Sequence, residues 1–239
     1  KFYTKYWGNQ KYLGLSSRFH DLYLNKDVYK LWLVRSDFEK SYVTKCLDID
    51  ESLIDLVPLQ YRVPSCDTMP IKENFCFHAS RLAASNKNVP RLIEAAKKYG
   101  FNLVLAGMLA SAEEKQWLHN MIDGNANIKY VGQLTDEELL SYYRRCKVFA
   151  LPSITEGVGM VALEAAANGA EIVLTNDGGP KYYLKDHAEI INPYSVDDIG
   201  RAVMKLMERN VYQPALLDYM KNNFSAEACS KQLEKALKD

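Results

Sequence analysis

From Phe75 onward the chain alternates between short, unbroken apolar runs and longer amphipathic stretches, and few folds tolerate that alternation. "FCFHAS" (75–80), "NLVLAG" (102–107), "NIKYVG" (127–132), "KVFALPS" (147–153) and "EIVLT" (171–175) read as strands buried on both faces. Between them, "NVPRLIEAAKKYG" (88–100) and "SAEEKQWLHNMI" (111–122) read as helices, the first stopped by Gly100. "TDEELLSYYRRC" (135–146) carries a capping box, Thr135 with Glu138, and "SVDDIGRAVMKLMERN" (195–210) places Ile199, Val203 and Leu206 on one stripe. Short strands alternating with helices imply right-handed βαβ units on a parallel sheet. The expected fold class is therefore α/β, a doubly wound, Rossmann-like parallel sheet over about residues 66–222.

Residues 1–65 differ. "VYKLWLVRS" (28–36), "DFEKSYVTKCL" (37–47) and "SLIDLVPL" (52–59) predict strand, helix, strand, followed by a Pro-containing linker. One such unit cannot bury both faces of a sheet, so it reads as the remnant of a further N-terminal α/β domain, truncated upstream. The tail, 223–239, is amphipathic and is expected to cross back to that domain. The aromatic, basic start "KFYTKYWGNQKYLG" reads as a segment stripped of its neighbours in preference to a membrane-surface contact.

Composition narrows the partners. Lys plus Arg and Asp plus Glu both number 30, so the formal net charge is zero, which argues against a general grip on nucleic acid. No apolar run is long enough to span a bilayer. The five cysteines, at 46, 66, 76, 146 and 229, form no CxxC or Cys/His cluster and read as reduced thiols of a cytoplasmic protein.

Chemistry concentrates in "ITEGVGMVALEAAANG" (154–169). Ligands of open α/β sheets bind beyond the carboxyl ends of the strands, and Glu156 stands at that edge. Gly157 and Gly159 let backbone approach a ligand, and the helix that follows offers a positive dipole end to phosphate. If every step from Glu156 to Glu164 were helical the rise would be about 12 Å, too far to share a proton. Two carboxylates so spaced suit hydroxyls at the two ends of a sugar nucleotide, with phosphates between. Arg81 and Lys87 in "SRLAASNKN" (80–88) follow a strand on the same edge and supply cations for a diphosphate. A third loop, "TNDGGPKYY" (175–183), follows the strand "EIVLT". Of the remaining features, "LDIDE" (47–51) reads as a solvated turn and not a metal motif, His78 as a packed core residue, His119 and His187 as surface groups, and Tyr142–Tyr143 as helix packing.

With these pieces in hand, "SRL…KN", "LVLAG", "IKYVGQL", "ALPSITEGVGMVALEAAANG" and "NDGGPK", the chain over about 29–238 resembles the retaining glycosyltransferases of family four, which have the two-domain GT-B fold. The resemblance implies transfer of a sugar, with retention, from a nucleotide-diphosphate-sugar donor to a carbohydrate or lipid-linked acceptor hydroxyl in polysaccharide or glycoconjugate synthesis. It implies Arg81, Lys87 and Glu156 as the catalytic set, and Gly157, Val158, Gly159, Met160 and Glu164 as donor-binding, with Gly132 and Leu134 beneath the base. No cofactor or metal is expected, no nucleic acid, and at most peripheral contact with the inner face of the membrane. Departures from the pattern are Ser80 in place of the usual Gly, a longer Arg-to-Lys spacing, and Tyr182 where many members have Glu. The alternatives are a sugar-nucleotide epimerase of the same fold, or a donor-binding fragment that does not turn over. His20 lies too near Ser36 to serve as the first domain's histidine.

Overall fold

The computed structural model describes residues 17–238. The aromatic, basic segment at 1–14 lies outside the described residues. The chain divides into two compact units: one takes in the described residues up to Leu59 and those from Cys229 onward, the other runs Gln60–Ala228.

The first unit begins with α1 (Ser17–Leu24) and pairs β1 (Trp32–Val34) in parallel with β2 (Ile54–Leu56), Trp32 opposite Ile54 and Val34 opposite Leu56. Between them α2 (Asp37–Tyr42) starts on Ser36, whose hydroxyl accepts from the Glu39 amide at 3.3 Å. The expected helix over 37–47 keeps its length but loosens into a π-turn over Val43–Leu47. Val34, Leu47, Ile49 and Ile54 make its small core, while Leu33, Phe38, Leu56 and Leu59 stay exposed.

The larger unit holds a fully parallel six-stranded sheet of β3 (Glu73–Ala79), β4 (Leu103–Ala106), β5 (Ile128–Tyr130), β6 (Cys146–Leu151), β7 (Glu171–Thr175) and β8 (Glu189–Ile191). Its spatial order is β5-β4-β3-β6-β7-β8. Counted from β3 this is 3-2-1-4-5-6, the order that reverses between its first and fourth strands and opens a crevice there. In β6 every residue except Lys147 is buried, as expected of a strand covered on both faces.

Helices α3 (Val89–Tyr99), α4 (Ala112–Ile122) and α8 (Val196–Glu208) pack with one face of the sheet through Leu92, Ile93, Leu103, Val148 and Val203. Helices α5 (Asp136–Arg145), α6 (Met160–Ala166) and α9 (Ala215–Phe224) pack with the other through Phe77, Tyr143, Phe149, Leu163 and Met220. The anticipated capping box of α5 is formed in both directions. The short α7 (Pro180–Leu184) follows β7, and α10 (Ala226–Ala236) ends the described chain. No helix among the described residues is long and apolar enough to cross a membrane.

Candidate functional site at the sheet's switch point

The loop after β3 and the loop after β6 flank the crevice; two contacts clamp them together and a third ties the first of them to the loop after β8. The Ile154 amide donates to the Asn86 carbonyl at 2.7 Å. The buried Asn88 side chain, on a residue of left-handed backbone, donates to the carbonyls of Pro152 at 2.9 Å and Pro193 at 2.6 Å. Across this clamp Lys87 Nζ meets Glu156 Oε2 at 2.8 Å, and the Ser153 hydroxyl donates to the same oxygen at 3.0 Å. Asn88 and Ser153 are site residues that the sequence did not single out.

Glu156 is held by its backbone as well. Its amide donates to the Asp177 carbonyl at 3.2 Å, and its carbonyl accepts from the Gly179 amide at 3.1 Å. The Gly-Gly turn is what permits this: Gly178 has φ +115°, and a Cβ there would lie 1.9 Å from the Glu156 carbonyl oxygen. The three loops expected to converge, after β3, β6 and β7, therefore do so on Glu156.

The two glycines after Glu156 are not equivalent. Gly159 has φ +66° and faces the Pro180 ring, which a Cβ would approach to 2.8 Å, whereas Gly157 is exposed with open space around it. Gly159 is also the residue from which α6 starts, with no side chain capping the helix's first amides. The helix begins only at Met160, so a continuous helical rise from Glu156 to Glu164 does not apply. The Val158 carbonyl accepts from the Tyr183 hydroxyl, and half-buried Met160 packs on the α6-side core.

The Arg81 side chain is exposed and makes no hydrogen bond or ion pair among the described residues. It lines a cavity of about 250 Å³ with Ser80, Gly107, Met108, Gln133, Leu134 and Val161. Leu134 thus stands beside Arg81. Gly132 does not line this cavity; its carbonyl is spent on the Gly107 amide at 2.8 Å, lacing the ends of β4 and β5.

Glu164 is 1% exposed. Its Oε1 accepts from Arg62 Nε at 2.9 Å and its Oε2 from the Tyr143 hydroxyl at 3.1 Å. The Tyr143 phenol is pushed well above its usual pKa, first by burial and then by the glutamate's charge. Tyr143 is therefore not only helix packing, and Arg62 is a partner that the sequence did not suggest. A cavity of about 420 Å³, lined by Arg62, Val63, Asp136, Leu139 and Glu164 among others, opens here, and Leu139 is shared with the Arg81 cavity.

Under the crevice lies His78, fully buried. Its Nδ1 is 2.8 Å from the Ala150 carbonyl, which only accepts, so that nitrogen carries the proton. Nε2 then accepts from the Ser80 hydroxyl at 2.7 Å. Burial above all brings the imidazole pKa down to about 4; the Ala150 carbonyl and Glu156 oppose the shift, and the nearby Lys87 adds to it. His119 is exposed, while His187 stacks on Tyr219 with ring centroids 4.2 Å apart and is not a simple surface group. Among the described residues no three His, Cys, Asp or Glu side chains come together in a metal-holding cluster.

A cationic loop on one side of a Rossmann-type switch point and an acidic segment on the other define a parallel α/β protein built like the GT-B glycosyltransferases. Residues 68–226 match the family model "Glycosyl transferases group 1", and the chain belongs to that family. O-antigen chain mannosyltransferase B of Escherichia coli is 24% identical over 91% of this chain and 62% of its own length. Sucrose-phosphate synthase from Thermosynechococcus elongatus superimposes with a TM-score of 0.73 at 18% identity, over 98% of this chain and 64% of that one. The pneumococcal O-GlcNAc transferase GtfA, solved with UDP and GlcNAc, superimposes with a TM-score of 0.67 at 17% identity, over 94% of this chain and 48% of that one. The chain thus spans less than two thirds of the length of each of these proteins.

Proposed function

We propose that the switch-point crevice binds the donor of a retaining glycosyltransfer reaction of the family-four type, a nucleotide-diphosphate sugar. The convergence of Arg81, Lys87 and Glu156 on one rim carries this proposal, supported by the family membership and by the sugar-transferring relatives. The demanding step is departure of the nucleoside diphosphate. Arg81 is uncommitted and faces a cavity; Lys87 is poised beside Glu156. Both cations, with the uncapped start of α6, stabilise the negative charge that grows on the leaving group. That arrangement takes the role a divalent ion plays elsewhere, so the reaction is proposed to run without a metal.

Glu156 orients the transferred sugar; its backbone bonds to the β7 loop fix its position before any ligand arrives. Gly157, Val158 and Gly159 offer backbone to the sugar and phosphate, and Glu164 takes the ribose hydroxyls. Leu134 lies under the base. The acceptor is a carbohydrate or lipid-linked hydroxyl. Free thiols at Cys46, Cys66, Cys76, Cys146 and Cys229 support a reducing, cytoplasmic setting.

Titration calorimetry with UDP, GDP and ADP, each with and without EDTA, tests the proposal. One nucleotide is expected to bind equally in EDTA, and Arg81→Ala or Lys87→Ala to weaken it by about tenfold or more, the loss of a charge-assisted hydrogen bond. Binding that vanishes in EDTA removes the metal-independent part. Wild-type affinity in both variants removes the diphosphate assignment. Product analysis with the bound donor then separates transfer from epimerisation.

A further inference from the structure

Glu164 has two partners of opposite character. Tyr143 is fully buried, its ring packed edge-on against Phe77 and Phe149, and it cannot leave the carboxylate without opening the core. The Arg62 side chain is 67% exposed and touches the carboxylate through Nε alone. Only 1% of Glu164 is accessible, so a ligand reaches its carboxylate by way of the side that Arg62 covers. That side is the cavity of about 420 Å³.

We infer that Arg62 is an internal competitor of the donor nucleotide: its guanidinium occupies the edge of Glu164 that the ribose hydroxyls use, and nucleotide binding displaces it. The inference rests on the assignment of Glu164 to the ribose. The movement is confined to a side chain. The strap carrying Arg62 is pinned on both sides, by the Tyr61 amide on the Phe224 carbonyl and by the Cys66 amide on the Ala167 carbonyl, each at 3.1 Å. Tyr61 and Val63 pack on the α6-side core. Asp136 lines the same cavity and offers a carboxylate to receive the displaced guanidinium. The device lowers affinity for every ribonucleotide by the population that keeps Arg62 seated. It also selects for a ligand that presents two vicinal hydroxyls able to replace the lost ion pair.

The test measures dissociation constants by calorimetry for wild type, Arg62→Ala, Glu164→Gln and the double variant. The ligands are the nucleoside diphosphate that binds best among UDP, GDP and ADP, and its 2′,3′-dideoxy analogue. Arg62→Ala is expected to bind the ribonucleotide about threefold tighter, in keeping with an exposed ion pair. That gain is expected to disappear with the dideoxy analogue and in the Glu164→Gln background. Equal or weaker ribonucleotide binding by Arg62→Ala, alongside normal wild-type binding, overturns the inference. So does a gain that persists with the dideoxy analogue.

Tryptic cleavage of the Arg62–Val63 bond gives a readout that needs no nucleotide. It is expected to be several-fold faster in Glu164→Gln, whose melting temperature checks that it is folded. Unchanged cleavage shows that Glu164 does not hold Arg62, and the competitor is gone. Faster cleavage together with no nucleotide binding to any variant leaves the ion pair but removes the donor assignment, and the inference falls with it.

Discussion

Glu156 and Glu164 belong to one short segment, yet the protein holds them by opposite means. Glu156 is fixed through its own peptide groups, which bond to Asp177 and Gly179, and its carboxylate meets a partly exposed lysine and a serine. Glu164 sits on a helix and is held by its side chain, with a buried phenol on one oxygen and an exposed arginine on the other. A carboxylate placed by backbone keeps its position whatever binds to it. A carboxylate placed by side chains exchanges one partner for another. The first suits the sugar-orienting role proposed for Glu156, and the second the nucleotide-gripping role proposed for Glu164.

Substitutions can break this contrast, the largest effect coming from Gly178. Gly178→Ala puts a methyl group into the Glu156 carbonyl at left-handed φ and should cost about 3 kcal/mol or more in urea unfolding, with loss of nucleotide-sugar turnover. Next is the pH dependence beneath Glu156. The His78 pKa is lowered in the folded state, so the unfolded chain binds its proton first as pH falls. Stability is fully present above about pH 6.5 and should fall by about 3 kcal/mol on acidification to about pH 4. His78→Gln should flatten that part of the profile in calorimetric melts.

On the Glu164 side, Tyr143→Phe removes a hydrogen bond to a buried carboxylate and should cost about 2 kcal/mol in the same urea assay. Smallest is Arg62→Ala, an exposed partner, at under about 1 kcal/mol. If Arg62→Ala proves more costly than Tyr143→Phe, the buried and exposed partners have been assigned the wrong weights.

The sequence showed the Glu156 side better than the Glu164 side, and the reason is distance along the chain. Strand β7 is the run expected from its continuous apolar residues, and the capping box of α5 lies within four consecutive residues. Rim residues announce themselves because each follows a strand. Tyr143 and Arg62, in contrast, reach Glu164 from 21 and 102 residues away, and nothing local marks them. Asn88 escaped for the same reason: its carbonyl partners belong to Pro152 and Pro193. Helix α9 went unseen because Pro214 precedes it without a capping side chain, and β8 because three residues at a sheet edge carry no period. The first strand, expected over 28–36, narrows to Trp32–Val34, since β2 offers only three residues to pair with it.

The strand order has a consequence for synthesis. β3 and β6 are neighbours in the sheet but β4 and β5 lie between them in the chain, and Glu156 is seated only when Gly179 has been made. A growing polypeptide that stops at α5 displays Arg81 and Lys87 without Glu156, the carboxylate that Lys87 meets in the finished domain. The proposed donor site is therefore completed late on the ribosome, and a ligand bound there would stabilise completed domains without rewarding partial ones.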